Sequence, residues 1–194
     1  MAAAPAHPGH KVLIAEDEAI IRLDLKEMLE EEGLSVVGEA ADGEAAIRIA
    51  REMSPDLVIM DIKMPGMDGL TAAEKIVEEG LTAVLILTAF SQKDLVKRAA
   101  DAGAMGYLVK PFQKTDLLPA IEVALARHAE LSALKEESSE LSDRLETRKV
   151  VDRAKGRLMD GHGMSEADAF RHIQKKAMQE RRSMKDVATE ILGV

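Results

Sequence analysis

From residue 11 onward, short apolar runs alternate with longer stretches in which apolar residues recur every three or four positions. KVLIA is followed by AIIRLDLKEMLEEE, LSVVGEA by GEAAIRIAREM, and DLVIM by a further amphipathic stretch. Continuous apolar runs of this length suit strands of a parallel sheet covered on both faces, and the intervening periodicity suits helices packed on it. The pattern predicts five strands, at about 11–15, 35–40, 56–60, 83–88 and 105–109, in a doubly wound α/β domain. Asp42-Gly43, Ser54-Pro55, Pro65-Gly66 and Asp68-Gly69 punctuate the loops, and Ser91 with Asp94 three residues on reads as a capping box opening a helix. A ligand site in such a domain lies beyond the carboxyl ends of its strands.

From about Thr115 to Val151 the pattern becomes one long helix, with Pro119 tolerated because it lies near the first turn. Leu134, Ser138, Leu141, Leu145 and Arg148 recur at four-three spacing, a short heptad seam with polar interruptions. Three shorter helices follow. The first carries Val150, Val151, Ala154, Leu158 and Met159 before Gly161 and Gly163 break it. The second opens at Ser165 with Asp168 as capping-box partner and stripes Ala167, Phe170, Ile173 and Ala177 toward a core. Ser183 with Asp186 opens the third, striped by Met184, Val187, Ala188, Ile191 and Leu192. Roughly 45 residues without metal or disulfide make a marginal core, so the long helix is expected to contribute to it.

The chain has 194 residues, room for one ordinary domain and a small one. Its 46% hydrophobic and 31% charged residues are those of a soluble globular protein, and no run approaches the roughly 18 apolar residues of a membrane span. MAAAPAHPGH lacks a basic region and an apolar core of the export kind, so residues 1–10 are expected to form a disordered tail. The absence of cysteine excludes disulfides and thiolate metal sites and fits a cytoplasmic location. The net charge of −9 conceals a split: from Thr147 onward there are 11 Lys/Arg against 7 Asp/Glu, while the rest is strongly acidic. A basic C-terminal part behind an acidic one suggests two parts with different partners, the second a candidate for a polyanion.

The first strand ends in Glu16-Asp17-Glu18, the third in Asp61, the fourth in Thr88 and the fifth in Lys110-Pro111. A parallel sheet brings these ends to one rim, where Glu16, Asp17 and Asp61 form a like-charge cluster that is costly unless a cation or proton is shared. Mg²⁺ prefers oxygen ligands and retains some of its waters, so an open rim of carboxylates suits it. Thr88 offers a hydroxyl and Lys110 an ammonium to the oxygens of a phosphoryl group, which makes Asp61 a nucleophile candidate. EDE after the first strand, DIKMPGMDG after the third, TA after the fourth and GAMGYLVKP around the fifth resemble, in order and spacing, the receiver domain of two-component response regulators. The resemblance implies the sheet order 2-1-3-4-5 and phosphorylation of Asp61 by a sensor histidine kinase. It implies Mg²⁺ ligation by Asp17, Asp61 and the backbone carbonyl of Lys63, with Glu16 supporting through water. It makes Thr88 and Tyr107 a switch pair and Lys110 a phosphate contact before a cis Pro111. It marks a phosphoacceptor signalling protein rather than an enzyme.

In the tail, Arg171 and Lys175 share a helix face away from Ile173 and Ala177, so a basic surface is geometrically available. The breaks DGHGMS and QERRS are not clearly those of a DNA-binding helix-turn-helix. AKGRLM, MSEADAFRHIQKKAM and SMKDVATEIL resemble the ANTAR domain, a three-helix RNA-binding module of antitermination regulators. The organisation implied is a receiver over 11–126, a connector over 127–146 and an ANTAR domain over 147–194. The implied action is binding of paired RNA stem-loops in a nascent transcript so that a terminator cannot form, by a homodimer favoured on phosphorylation. Charge and position nominate Lys155, Arg157, Arg171, Lys175, Lys176 and Arg181 as RNA contacts. His162 and His172 have no metal partners nearby in sequence and are expected at the surface. Rival readings are a DNA-binding response regulator, an aspartyl-phosphate enzyme such as a phosphatase, and a protein-interaction switch with a structural tail.

Overall fold

The computed structural model describes residues 9–89 and 93–193. The chain divides into two compact units, Met1–Leu131 and Ser132–Val194. In the first, β1 (Lys11–Ala15), β2 (Ser35–Ala40), β3 (Leu57–Asp61), β4 (Ala83–Thr88) and β5 (Gly106–Val109) alternate with α1 (Ala19–Glu31), α2 (Gly43–Met53), α3 (Gly69–Glu78) and α4 (Lys93–Asp101), and α5 (Lys114–His162) follows. The strands pair in parallel in the order β2-β1-β3-β4-β5, the expected order.

Strand alternation divides the core in two. Leu13 and Ala15 on β1, with Val58 and Met60 on β3, pack against Ala46, Ile47 and Ala50 of α2 and Leu70, Ala73 and Ile76 of α3. Their neighbours Val12, Ile14, Leu57 and Ile59 face the other way, onto Leu25 and Leu29 of α1 and Leu117, Ile121 and Ala124 of α5. Successive side chains point to opposite faces, so runs such as LVIM are apolar at every position because both faces are covered. Asp42 and Asp68 cap α2 and α3 through Ala45 N–H at 2.8 Å and Thr71 N–H at 3.0 Å.

The second unit has a small core. Val151, Ala154 and Leu158 of α5 meet Ala169, Ile173 and Ala177 of α6 (Glu166–Glu180) and Val187 and Ala188 of α7 (Met184–Leu192). Ser183 and Asp186 form the reciprocal capping box expected of α7. Ser165 caps α6 by accepting from Asp168 N–H at 3.2 Å, but the Asp168 carboxylate takes the Ser165 hydroxyl at 2.6 Å.

Two expectations need amendment, and two fall outside the described residues in whole or in part. The helix expected to end near Val151 and the separate one expected after it are a single helix, because no glycine or proline lies between Pro119 and Gly156 to break it; Gly161 falls in its last turn and Gly163, at φ +64°, turns the chain. A helical glycine costs about 1 kcal/mol relative to alanine, too little to end α5 at Gly156 or Gly161. Phe170, assigned to the core by its stripe, is 41% exposed, because the buried row is Ala169, Ile173 and Ala177 and Phe170 lies one residue round from it. The capping box at Ser91 and the tail through residue 8 lie outside the described residues. Of the tail's remainder, Gly9 N–H reaches the Gly33 carbonyl and His10 accepts from Ser35 N–H.

Ile173 is fully buried in this small core. Ile173→Ala should cost about 2–5 kcal/mol of the second unit's stability. Urea unfolding should show that unit's transition lost or moved to lower denaturant while the transition of Met1–Leu131 keeps its midpoint.

Candidate functional site

The ends of β1, β3, β4 and β5 meet at one rim, as parallel pairing requires. Asp61 closes β3 and Thr88 closes β4. Lys110 N–H donates to the Thr88 carbonyl at 2.7 Å, which extends the β4–β5 ladder and brings Lys110 to the rim. Its ammonium lies 2.6 Å from Glu16 Oε2 and 2.9 Å from Asp61 Oδ1. The second oxygen of Asp61 accepts from Lys63 N–H at 3.0 Å, and Glu16 Oε1 accepts from Glu18 N–H at 3.2 Å. The structure thus brings Glu16, Asp61 and Lys110 into contact. Asp17, exposed, joins them: one carboxylate oxygen from each of Glu16, Asp17 and Asp61 lies within 4.8 Å of the others. Three hard donors on an open rim fit a hard divalent cation.

Burial makes this arrangement electrostatically tense. Glu16 is wholly buried and Asp61 nearly so. Desolvation, with the Asp61 charge adding to it, holds the Glu16 carboxyl above the ordinary glutamate range against the lowering effect of Lys110. Burial alone would depress the Lys110 ammonium, but its bonds to Glu16 and Asp61 outweigh that and hold it above the ordinary lysine value.

Thr88 and Tyr107 belong to adjacent strands. Tyr107 pairs with Ile86 and Val109 with Thr88, so Tyr107 shares a sheet face with Thr88 one step further from the rim. Thr88 is 3% exposed and Tyr107 49%.

Two residues shape the rim that the sequence reading did not single out. Arg22 of α1 donates to the backbone carbonyls of Glu16 and Asp17 while its Nε holds Glu39 at 3.2 Å. It ties the acidic loop to β2. Its signal was position only, one helical turn past Glu18. At Gly69, which opens α3, any Cβ would overlap the Asp61 carbonyl, and Gly69 N–H donates to the Ile62 carbonyl at 2.9 Å. The Asp68-Gly69 pair was legible as a turn, but not as the floor beneath Asp61.

In the second unit, the six nominated cations are not a free patch. Lys155 is held by Asp152 at 2.7 Å and Glu166 at 2.8 Å, Arg157 donates to the Leu192 carbonyl, Arg171 pairs with Asp168 at 2.8 Å, and Lys176 pairs with Glu190 at 2.6 Å. Among the described residues, only Lys175 and Arg181 of the six have side chains without an ion pair or hydrogen bond. His162 and His172 are exposed, as expected.

This fold, with an acidic rim bridged by a lysine, defines a receiver-type signalling domain. The response regulator receiver domain family matches residues 12–122 and the ANTAR domain family residues 139–192; the chain belongs to the response regulators, with a receiver followed by an ANTAR domain. It is 57% identical over 189 residues to the transcriptional regulatory protein PdtaR of Mycobacterium tuberculosis, covering 97% of this chain and 92% of that one. Among solved structures, the receiver domain of the response regulator NarL from M. tuberculosis superposes with a TM-score of 0.59 at 31% identity, over 62% of this chain and 98% of that one. CheY in the CheX–CheY–BeF3–Mg²⁺ complex from Borrelia burgdorferi superposes with a TM-score of 0.56 at 31% identity, over 58% and 86%. No helix among the described residues is long and apolar enough to cross a membrane.

Gly69→Ala should lower the receiver's thermal midpoint by several degrees, because the added methyl must displace the Asp61 backbone; an unchanged midpoint would show the loop yields freely. The raised Glu16 carboxyl fixes a sign as well. A folded state that holds this proton more tightly than the unfolded chain loses stability as pH rises from the ordinary glutamate range through the raised value. Metal-free urea titrations across that window should show the decline in the wild type and a smaller one in Glu16→Gln.

Proposed function

We propose that the chain is phosphorylated on Asp61 by a sensor histidine kinase and that this modification controls RNA binding by the ANTAR domain, and with it transcription antitermination. The observation that carries the reading is the Lys110 ammonium shared between Glu16 and Asp61 beside Asp17. In the transfer, an Asp61 carboxylate oxygen forms the new P–O bond while the P–N bond to the kinase histidine breaks and leaves its electron pair on the ring nitrogen. Asp17, Asp61 and the Lys63 carbonyl would hold Mg²⁺, with Glu16 supporting through water, and the ion would neutralise charge on the transferred group. The acidic cluster fits that ion, and the B. burgdorferi complex names it for a relative.

Lys110 then exchanges its bond to Asp61 for one to a phosphoryl oxygen, because the acyl phosphate leaves the Asp61 carbonyl uncharged and places the negative charge on the phosphoryl oxygens. Thr88 at the end of β4 donates its hydroxyl to another, and the half-exposed Tyr107 moves into the space this opens. The change reaches α5, whose Leu134, Leu141 and Leu145 are exposed along the heptad seam. Pairing of two copies there presents two ANTAR domains to two stem-loops and raises the effective concentration of the second contact.

RNA is favoured over duplex DNA by the charge of α7. Residues 181–183 between α6 and α7 match the length of a helix-turn-helix turn. Yet the helix that would read the groove carries Asp186 and Glu190 against one cation, Lys185, which is held by Glu146 at 2.8 Å.

With Mg²⁺ and acetyl phosphate, intact-mass spectrometry should find a phosphoryl adduct on the wild type and none on Asp61→Asn. Crosslinking and sequencing in cells should recover tandem stem-loops upstream of terminators with the wild type and fewer with the variant. Equal recovery would remove phosphorylation from the control of RNA binding.

A further inference from the structure

Phe170 is the only aromatic residue of Ser132–Val194, and it is left 41% exposed. An aromatic ring of this size is ordinarily the largest apolar contribution a small core can recruit. Here the core is closed instead by alanines, valines, Ile173 and Leu158. The ring lines an open groove of about 550 Å³ between α5, the start of α6 and the start of α7, with Val151 and Met184 as further apolar lining and Thr147 beside them. That volume lies within the range of small-ligand sites, roughly 300–1,000 Å³.

The charged lining distinguishes two kinds of group. Lys155 is committed to Asp152 and Glu166 at short distances. Arg144 and Arg148 are not: their side chains are 76% and 83% exposed, and their pairs with Glu140 and Asp152 are long, 3.5 and 3.9 Å. Exposed pairs of this kind contribute little, so both guanidinium groups can leave them for a phosphate at small cost. Asp143 and Asp152 also border the groove, and they place the anion preference on the two arginines rather than on the groove as a whole. A ring with an open face, an apolar lining, a hydroxyl and two loosely held guanidinium groups match a nucleotide: a flat base, its polar edge and its flanking phosphates. The base must be unpaired, because a base inside a helix already has both faces stacked. A second copy of this chain fits less well. Of the α5 seam, the exposed leucines do not line the groove and only Arg148 borders it.

We propose that this groove seats one unpaired base of an RNA loop, stacked on Phe170, with Arg144 and Arg148 on the adjoining phosphates and Thr147 at the base edge. The assignment rests on the RNA-binding reading above and moves the point of recognition from the α6 face of Arg171 and Lys175 to the α5–α6 groove.

The test uses the full chain, phosphorylated with Mg²⁺ and acetyl phosphate, and hairpins selected on it from a pool with randomised loops. Each loop position is then replaced in turn by 2-aminopurine and by an abasic site. One position should change fluorescence on binding, and removing its base should weaken binding roughly tenfold or more. Phe170→Leu, which keeps an apolar side chain, should weaken the intact hairpin by a similar factor, lose the fluorescence change and become indifferent to the abasic site. Phe170→Tyr should retain all three properties. Selected hairpins that bind Phe170→Leu as tightly as wild type, or that tolerate an abasic site at every loop position, overturn the base seat while leaving RNA binding intact. A shift of Phe170→Leu toward monomer in RNA-free sedimentation assigns the groove to a second copy and overturns it too. Failure of the wild type to select any hairpin overturns the RNA reading itself and the base seat with it.

Discussion

Two buried carboxylates, Glu16 and Asp61, are held a hydrogen bond's reach from one ammonium, and the rest of the receiver is arranged to permit it. Desolvation, and with it the Asp61 charge, pushes the Glu16 carboxyl above its ordinary range. Lys110 resolves the conflict from 94 residues away in the chain, which is possible only because a parallel sheet brings the same end of every strand to one edge. The contact therefore reports on the whole topology: a slip of β5 against β4 by one residue would point the ammonium to the opposite face. A chemical change at Asp61 is felt on β5 directly, through the shared cation, without a relay of intervening side chains.

The second unit solves a different problem, that of a core with few residues. It borrows three turns of α5 and packs them with alanines that let helices approach closely, then fixes the short helices with serine caps and a ring of ion pairs. The Glu190 carboxyl is held below the ordinary range by Lys176 and Arg182, which join α6 and the following turn to α7. Cations that look like a binding face in the sequence here serve partly as ties between helices.

How much of this was legible depended on whether the signal was periodic or relational. Apolar runs such as VLIA and LVIM placed the strands, and the order of EDE, DIKMPGMDG, TA and YLVKP placed the rim, because each motif sits at a strand end whose position the pattern had fixed. The continuity of α5 was not legible, since its apolar stripe changes near Val151, where the helix passes from the heptad seam to the second core, and a change of stripe reads as a change of element. Phe170 was misplaced for a related reason. An aromatic residue beside an apolar stripe is assigned to it by type, whereas one residue of helical rotation, about 100°, decides between core and surface. Gly69 was legible as a turn, but the roles of Arg22 and Gly69 at the rim were not, because they consist of contacts with backbone carbonyls of the strand-end loops.

The ion pairs of the second unit alter what its formal charge means. A nucleic acid gains affinity from released counterions only for those phosphates that meet an unneutralised cation. Lys155, Lys176 and Arg182 already have carboxylate neighbours as their permanent counterions. For the proposed RNA binding, the electrostatic share of affinity would therefore be smaller than the count of basic residues suggests, and discrimination would fall more heavily on the shape of the folded strand than on its ionic atmosphere.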